Sequence, residues 1–298
     1  MTSRNTVVIF LLLGSIIIVL LVNIGLTRLS DLPIIIRRMN TNSFRYYSID
    51  SLIRKKDCTI ENDGSLNAQL IRPEAWFQRY WEPCIACADE ERIGLIGDGG
   101  KWICNPVREL KHNKCVVISI GSNNEFSFED EIIDRFGCDV HIFDHTVDPP
   151  SNFGMIKTKQ HKFHFHKLGL DVTTHGFMLS LHDMISMVMA KSNAIVDILK
   201  IDCEGCEFDA LTSPTSVNIL QTRVKQLLLE IHNFREDFAA AKRYHVDKRS
   251  FSSLWVSLQS SSGMFPFHKE PNIEWSLNSS FAIEYAFLNK QFVRKYLP

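Results

Sequence analysis

The stretch Ile195–Glu207 constrains this chain most, because it joins an apolar, β-branched run to a dense group of ionisable residues. Ile195 to Ile201 is short and has the composition of a strand buried on both faces of a parallel sheet. It delivers Asp202, Glu204 and Glu207 to the strand's carboxyl end, where Gly205 allows a sharp turn or a close backbone approach. In open α/β sheets that edge is where ligands bind. Carboxylates placed there can equally cap the helix that follows, so the stretch sets the fold class before it sets any chemistry.

A second buried parallel strand is predicted over Val116–Ile120, breaking at Gly121-Ser-Asn-Asn-Glu125. A helix follows, with a capping-box signal in Ser127 and Asp130 and an apolar face of Ile132, Ile133 and Phe136. The next strand, Val140–Phe143, ends in Asp144, about twenty residues beyond the turn. Strand, glycine turn, helix and distant acid form the nucleotide-binding arrangement of a doubly wound fold, with Asp144 as the acceptor for two ribose hydroxyls. Val224–Ile231 is another buried strand, and its end, Glu230-Ile-His232, sets a carboxylate and an imidazole near Asp202 and Glu204. His232 is the general-base candidate, since an imidazole titrates near neutral pH; a satisfied structural histidine is the alternative. Two further segments, MFPFHKEPNIEW and FAIEYAFLNK, predict an antiparallel hairpin closing the sheet.

These words resemble one family. LKIDCEGCE is similar to the K-I-D-x-E-G-x-E signature of FkbM-like methyltransferases and their animal methyltransferase-like relatives, a group of membrane or secreted proteins. GDGGKW-C, the Glu-x-His strand end and Asp183 match other positions of the same group, and the resemblance covers about residues 92–290. It implies an α/β, Rossmann-like S-adenosylmethionine-dependent methyltransferase fold that transfers a methyl group to an oxygen nucleophile. The implied catalytic residues are Asp202, Glu204 and His232, and the implied donor-binding residues are Gly121, Ser122, Asn123 and Asp144. The reduced turn suits this phosphate-free donor better than a dinucleotide, which would want G-x-G-x-x-G to approach a pyrophosphate. FkbM-like chains have roughly V-x-D-x-G-A-N-x-G here; this chain has Ser119 for the acid and Glu125 for the second glycine. Glu125 is the residue placed to compensate.

Eight cysteines need a role. Cys84, Cys87, Cys104 and Cys115 could hold zinc, but the spacing lacks a second C-x-x-C pair, and in a luminal protein disulfides are the expected use. Cys203 and Cys206 sit among carboxylates, which raise thiol pKa values and oppose redox chemistry. His164 and His166 share one face of a strand without a third ligand at a telling spacing, so their expected role is structural and no metal site is assigned.

The N-terminus carries an apolar run over residues 7–26, close to the ~20 residues that a bilayer-spanning helix needs. No A-x-A-like cleavage site follows, which predicts an uncleaved signal anchor. Residues 1–6 form a short tail, 27–70 a stalk and 71–298 one large α/β domain, with a core-facing helix suggested by Trp76, Phe77, Tyr80 and Trp81. Asn278-Ser-Ser280 is a glycosylation acceptor; with the cysteines it favours a type II single-pass protein whose domain is luminal or at the cell surface, or a secreted form. Residues 1–56 carry eight Lys/Arg against two acids, leaving 25 against 32, a balance of −7, for the remainder. An acidic domain is a poor electrostatic partner for nucleic acid. The expected acceptor is a small molecule, a glycan or a protein. The competing reading is a catalytically inactive methyltransferase-fold binding or scaffold protein, supported by Ser119 and Glu125.

Overall fold

The computed structural model describes residues 82–110, 115–148, 161–189, 194–232, 248–272 and 282–293, together with three strands between residues 6 and 38. The chain divides into two compact units, Met1–Tyr46 and Tyr47–Pro298. The expected helix around Trp76 and the Asn278 acceptor lie outside the described residues.

In the first unit the anticipated membrane-spanning helix over 7–26 is not formed. Thr6–Leu13 (β1) and Ile16–Asn23 (β2) pair antiparallel, with Leu13 opposite Ile16, and Ile35–Arg38 (β3), inside the expected stalk, pairs with β2. The physical reason lies in the composition. Val7, Val8, Ile9, Ile16, Ile17, Ile18, Val19 and Val22 are β-branched, and such side chains are stiff in a helix and fit a pleated strand. Among the described residues no helix is long and apolar enough to cross a membrane.

Among the described residues of the larger unit, an antiparallel hairpin comes first, β4 (Glu90–Ile93) and β5 (Lys101–Cys104). Then come β6 (Val116–Ile120), helix α1 (Ser127–Phe136), β7 (Asp139–Phe143) and β8 (Phe163–His166). A short parallel pair, β9 (Gly169–Asp171) and β10 (Met178–Ser180), leads into α2 (Leu181–Val188). Next are β11 (Val196–Ile201), α3 (Cys206–Ala210), α4 (Pro214–Arg223), β12 (Val224–His232) and α5 (Lys248–Trp255). The last strands described are β13 (Met264–Pro271) and β14 (Ala282–Asn289), followed by a short helical turn, Lys290–Val293. The central sheet has the order β13-β14-β12-β11-β6-β7-β8, parallel from β12 to β8, with β14 antiparallel to both its neighbours. This is the expected mostly parallel sheet with its C-terminal hairpin.

Strand alternation divides the core. Ile118, Ile120, Leu199, Ile201, Leu227 and Leu229 face a core shared with Met184 of α2, Phe208 of α3, Leu220 of α4 and Leu254 of α5. Val117, Ile198 and Leu228 face the other way, against Ile132 and Ile133 of α1 and Ile93 and Ile103 of the hairpin. Each such side chain contributes about 1.5–3 kcal/mol on full burial. β11 is buried along its whole length, with its charged Asp197 and Lys200 paired to Lys225 and Glu129.

Cysteine pairing removes the zinc alternative. Cys87 bonds Cys104, Cys115 bonds Cys138 across the entries of β6 and β7, Cys203 bonds Cys206, and Cys84 is disulfide-bonded as well. The capping box at Ser127 and Asp130 is not made either. Phe126 is the N-cap of α1, and Glu125 accepts from the Ser127 backbone N–H at 2.9 Å, so the carboxylate preceding the helix takes the capping role.

On the β7–β8 edge, His141 stacks on His164 with ring centroids 4.4 Å apart, and its Nδ1 lies 3.1 Å from Nε2 of His166. Burial first, and then the neighbouring imidazoles, push His141 down to about 4, and His166 is lowered for the same reasons. The native state therefore binds fewer protons than the unfolded chain below the ordinary imidazole pKa of about 6.5. Stability contributed by this cluster is present above that pH and is lost as pH falls toward 4. A thermal melt series from pH 7 to pH 4 should show this fall, and His141→Phe should flatten it; an unchanged slope in the variant would remove the cluster as its cause.

Candidate functional site

The sheet reverses its strand order between β6 and β11, and the crevice beyond their carboxyl ends holds most of the residues singled out from the sequence. Gly121, just past β6, has φ +77, and a Cβ built on it would lie 1.7 Å from the carbonyl oxygen of Asp202. The β6 turn and the end of β11 thus touch backbone to backbone, an approach only glycine permits. The Gly121 N–H donates to Phe143 O of β7 and the Asp202 N–H to Ile120 O, which locks the three strand ends together.

Asp144 leaves β7 and folds back over this turn. Its Oδ2 accepts from the backbone N–H groups of Ser122 and Asn123, both at 2.9 Å, and from Ser122 Oγ at 3.3 Å; its Oδ1 accepts from Thr146 N and Oγ1. Burial would raise this carboxyl, but those hydrogen bonds win and hold it below the usual carboxylate range. All four donor-site candidates, Gly121, Ser122, Asn123 and Asp144, therefore meet in one loop. The amides that would cradle a phosphate are occupied by a carboxylate, so this turn opposes a phosphate-bearing ligand.

The acid missing at Ser119 is supplied from elsewhere. Glu129 of α1, fully buried, reaches Ser119 Oγ at 2.5 Å and the ammonium of Lys200 at 3.1 Å, and Lys200 also donates to Gly121 O. Glu125, the residue placed to compensate, caps α1 through Oε1, while the carboxylate in contact with Ser119 is that of Glu129. The packing of α1 on β6 brings Glu129 there, a relation of ten residues in sequence that no strand motif encodes.

Next to the turn lies a row of acids across the sheet. Asp202 follows the Ile201–Leu229 pair, Glu230 is directly opposite Glu284, and Glu284 is directly opposite Glu270. Like charges so placed repel. Lys101 of β5, 2 % exposed, reaches into the row and pairs with Asp202 at 3.3 Å, Glu230 at 3.6 Å and Glu284, while Arg92 and Trp102 of the hairpin hold Glu270. Burial works against the Lys101 charge, but the three carboxylates outweigh it and raise its pKa well above the ordinary value. Burial and the neighbouring acids raise Glu230 and Glu284. Asp202 is held low despite its burial, chiefly by Lys101 and a hydrogen bond with Glu230.

His232 closes the row. Its ring Nδ1 lies 3.2 Å from Oε1 of the fully buried Glu207, which also accepts the His232 backbone N–H, and its Nε2 lies 3.8 Å from Asp202 Oδ1. Burial alone would lower this imidazole, but the hydrogen bond and charge of Glu207, with the charges of Asp202 and Glu204, push it up to about 8. Glu204 is exposed and, at φ 53, left-handed, in the four-residue turn closed by the Cys203–Cys206 disulfide. The structure therefore brings Asp202 and His232 together, with Glu204 above them. Lys101, Glu207 and Glu284 are the members that sequence reasoning did not assign. An acid inside the apolar run FAIEYAF and a lysine opening the strand KWIC were the available signals.

Residues 48–289 match the family model described as a methyltransferase domain. The chain is 25 % identical over 185 residues to methyltransferase-like protein 24 of Homo sapiens, an alignment covering 56 % of this chain and 49 % of that protein. The chain thus spans about half the length of this curated relative. With a reversed strand order at β6 and β11, a closing antiparallel strand and a family match over most of its length, this chain belongs to the methyltransferase-domain family.

Proposed function

We propose that this protein transfers a methyl group from S-adenosylmethionine to an oxygen nucleophile on a small molecule, a glycan or a protein, in an oxidising compartment of the secretory route. The observation that carries the reading is the contact of the Gly121 turn with Asp202, which makes a phosphate-excluding nucleoside loop and an acidic, histidine-bearing edge two walls of one crevice. The donor supplies an electrophilic methyl group. Gly121, Ser122, Asn123 and Asp144 would hold its nucleoside, while Asp202, Glu204 and His232 line the acceptor side. The negative charge of Asp202 and Glu204 favours a cationic sulfonium, and orientation of the acceptor oxygen in line is the main contribution such a site can make. Accepting the acceptor's proton requires neutral His232, a form that becomes dominant only above pH 8 or so. The disulfides support the compartment.

A second reading is favoured by one observation. Five donors already occupy the Asp144 carboxylate, which offers about four lone-pair positions, so ribose hydroxyls must displace loop contacts to reach it. A binding or scaffold protein that keeps the fold would need no such exchange. Calorimetric titration of the full-length chain with S-adenosylmethionine and with its demethylated product separates the two. Methyl transfer predicts micromolar binding, weakened about tenfold or more by Asp144→Ala. No heat from a demonstrably folded protein would overturn it in favour of the scaffold.

A further inference from the structure

The acidic row gathers several buried carboxylates beside one histidine. Asp202, Glu230 and Glu284 lie against Lys101, Lys200 acts on Asp202 and Glu284 as well, and Asp202 and Glu207 lie against His232. Among the described residues, Oε2 of Glu284 is buried without a hydrogen-bond partner, although its carboxylate lies against the same Lys101 that touches Asp202 and Glu230. A buried carboxylate oxygen with nothing to accept from is costly unless a cation or proton completes it.

Three of the side chains in this corner are arranged as ligands. One oxygen each from Asp202 and Glu230 and one ring nitrogen from His232 lie within 4.8 Å of one another. His232 Nε2 and Asp202 Oδ1 are 3.8 Å apart, so the imidazole and the carboxylate face each other across this corner. The far side of the ring is equally telling. His232 Nδ1 lies against the buried carboxylate of Glu207, and a histidine that binds a metal through one nitrogen almost always donates from the other to such a partner. Lys101 engages Asp202 through Oδ2, leaving Oδ1 toward His232, and the Asp202 side chain is 18 % exposed, which gives an ion a way in.

We infer that Asp202, Glu230 and His232 form a binding site for a divalent transition-metal cation, with Glu207 orienting the histidine. Two carboxylates and one imidazole suit manganese(II) or zinc(II) better than an all-oxygen cage cation. The site itself is independent of the methyl-transfer reading, but its role rests on it: a cation at this edge holds an acceptor hydroxyl and lowers its pKa, releasing the proton to water. His232 then serves as a neutral ligand, and deprotonation falls to the cation.

The test is direct binding of manganese(II), followed by electron paramagnetic resonance, and of zinc(II), followed by calorimetry, to the full-length chain. One equivalent should bind, with affinity reduced about 10–100-fold or more by His232→Ala and by Asp202→Asn, and by about tenfold by Glu207→Gln, which removes only the orienting carboxylate. Asp134→Asn, on the exposed side of α1, serves as the folded control and should bind as the parent does. If His232→Ala fails to fold, Asp202→Asn, which keeps its shape, carries the comparison. No saturable binding at millimolar metal, or binding unchanged in Asp202→Asn, overturns the proposal. Donor titration run alongside keeps the failures apart: metal binding without donor binding overturns only the methyl-transfer reading, and donor binding without metal binding overturns only this site.

Discussion

Lys101→Met is expected to destabilise the protein by about 3–5 kcal/mol, the largest loss anticipated for a single charge in this fold. The lysine is 2 % exposed and touches three carboxylates, two of which face each other across β12 and β14. Removing it leaves like charges directly opposed in a buried region, where each relaxes most readily by taking up a proton. Glu230 and Glu284 are already raised toward protonation, so the penalty should shrink as pH falls. Urea unfolding of the variant at pH 7.5 and pH 5.5, about a unit either side of the neutral imidazole range, checks both parts. Adding Glu284→Gln should recover part of the loss by removing one of the opposed charges. A loss below about 1 kcal/mol at the higher pH would mean that the row carries its protons regardless of Lys101.

Gly121→Ala is expected to cost about 4 kcal/mol or more and to abolish donor binding. Two effects combine. The residue has φ +77, where a side chain costs roughly 1–2 kcal/mol, and its new Cβ would fall 1.7 Å from the Asp202 carbonyl oxygen and 2.7 Å from its carbon. Backbone hydrogen bonds from Gly121 to Phe143 and from Asp202 to Ile120 hold both partners in place, so neither can give way cheaply. Gly137→Ala supplies the internal comparison. Gly137 is also left-handed, at φ +68, but a Cβ there meets nothing within 4 Å, so only the backbone strain of about 1–2 kcal/mol remains. Equal losses at the two positions, measured by urea unfolding, would show that the close approach between the strand ends is not rigid.

The parallel strands were written in composition and local order. Short apolar runs rich in Val, Ile and Leu and bounded by turn residues mark Val116–Ile120, Val196–Ile201 and Val224–His232 as interior strands, and the segments after them lie at the edge where open α/β sheets bind ligands. Gly121, Asp144, Asp202 and His232 were legible for the same reason, since a strand fixes where its last residue emerges. The N-terminal run was not. Its apolar length satisfies a helix and its β-branched content satisfies strands, and periodicity cannot separate them when every position is apolar.

Sequence order also could not show which charges meet. Glu129 reaches Ser119 and Lys200 because α1 packs on β6, and Lys101 enters the acid row because the β4–β5 hairpin covers β12 and β14. Glu230 and Glu284 become opponents through an antiparallel register set more than fifty residues along the chain. The sequence by itself determined the fold class, the strand ends and the residues that emerge from them, because those follow from local burial and turn chemistry. The tertiary structure alone decided the partners of the buried charges, because electrostatics in a dry interior depends on distances that only packing sets.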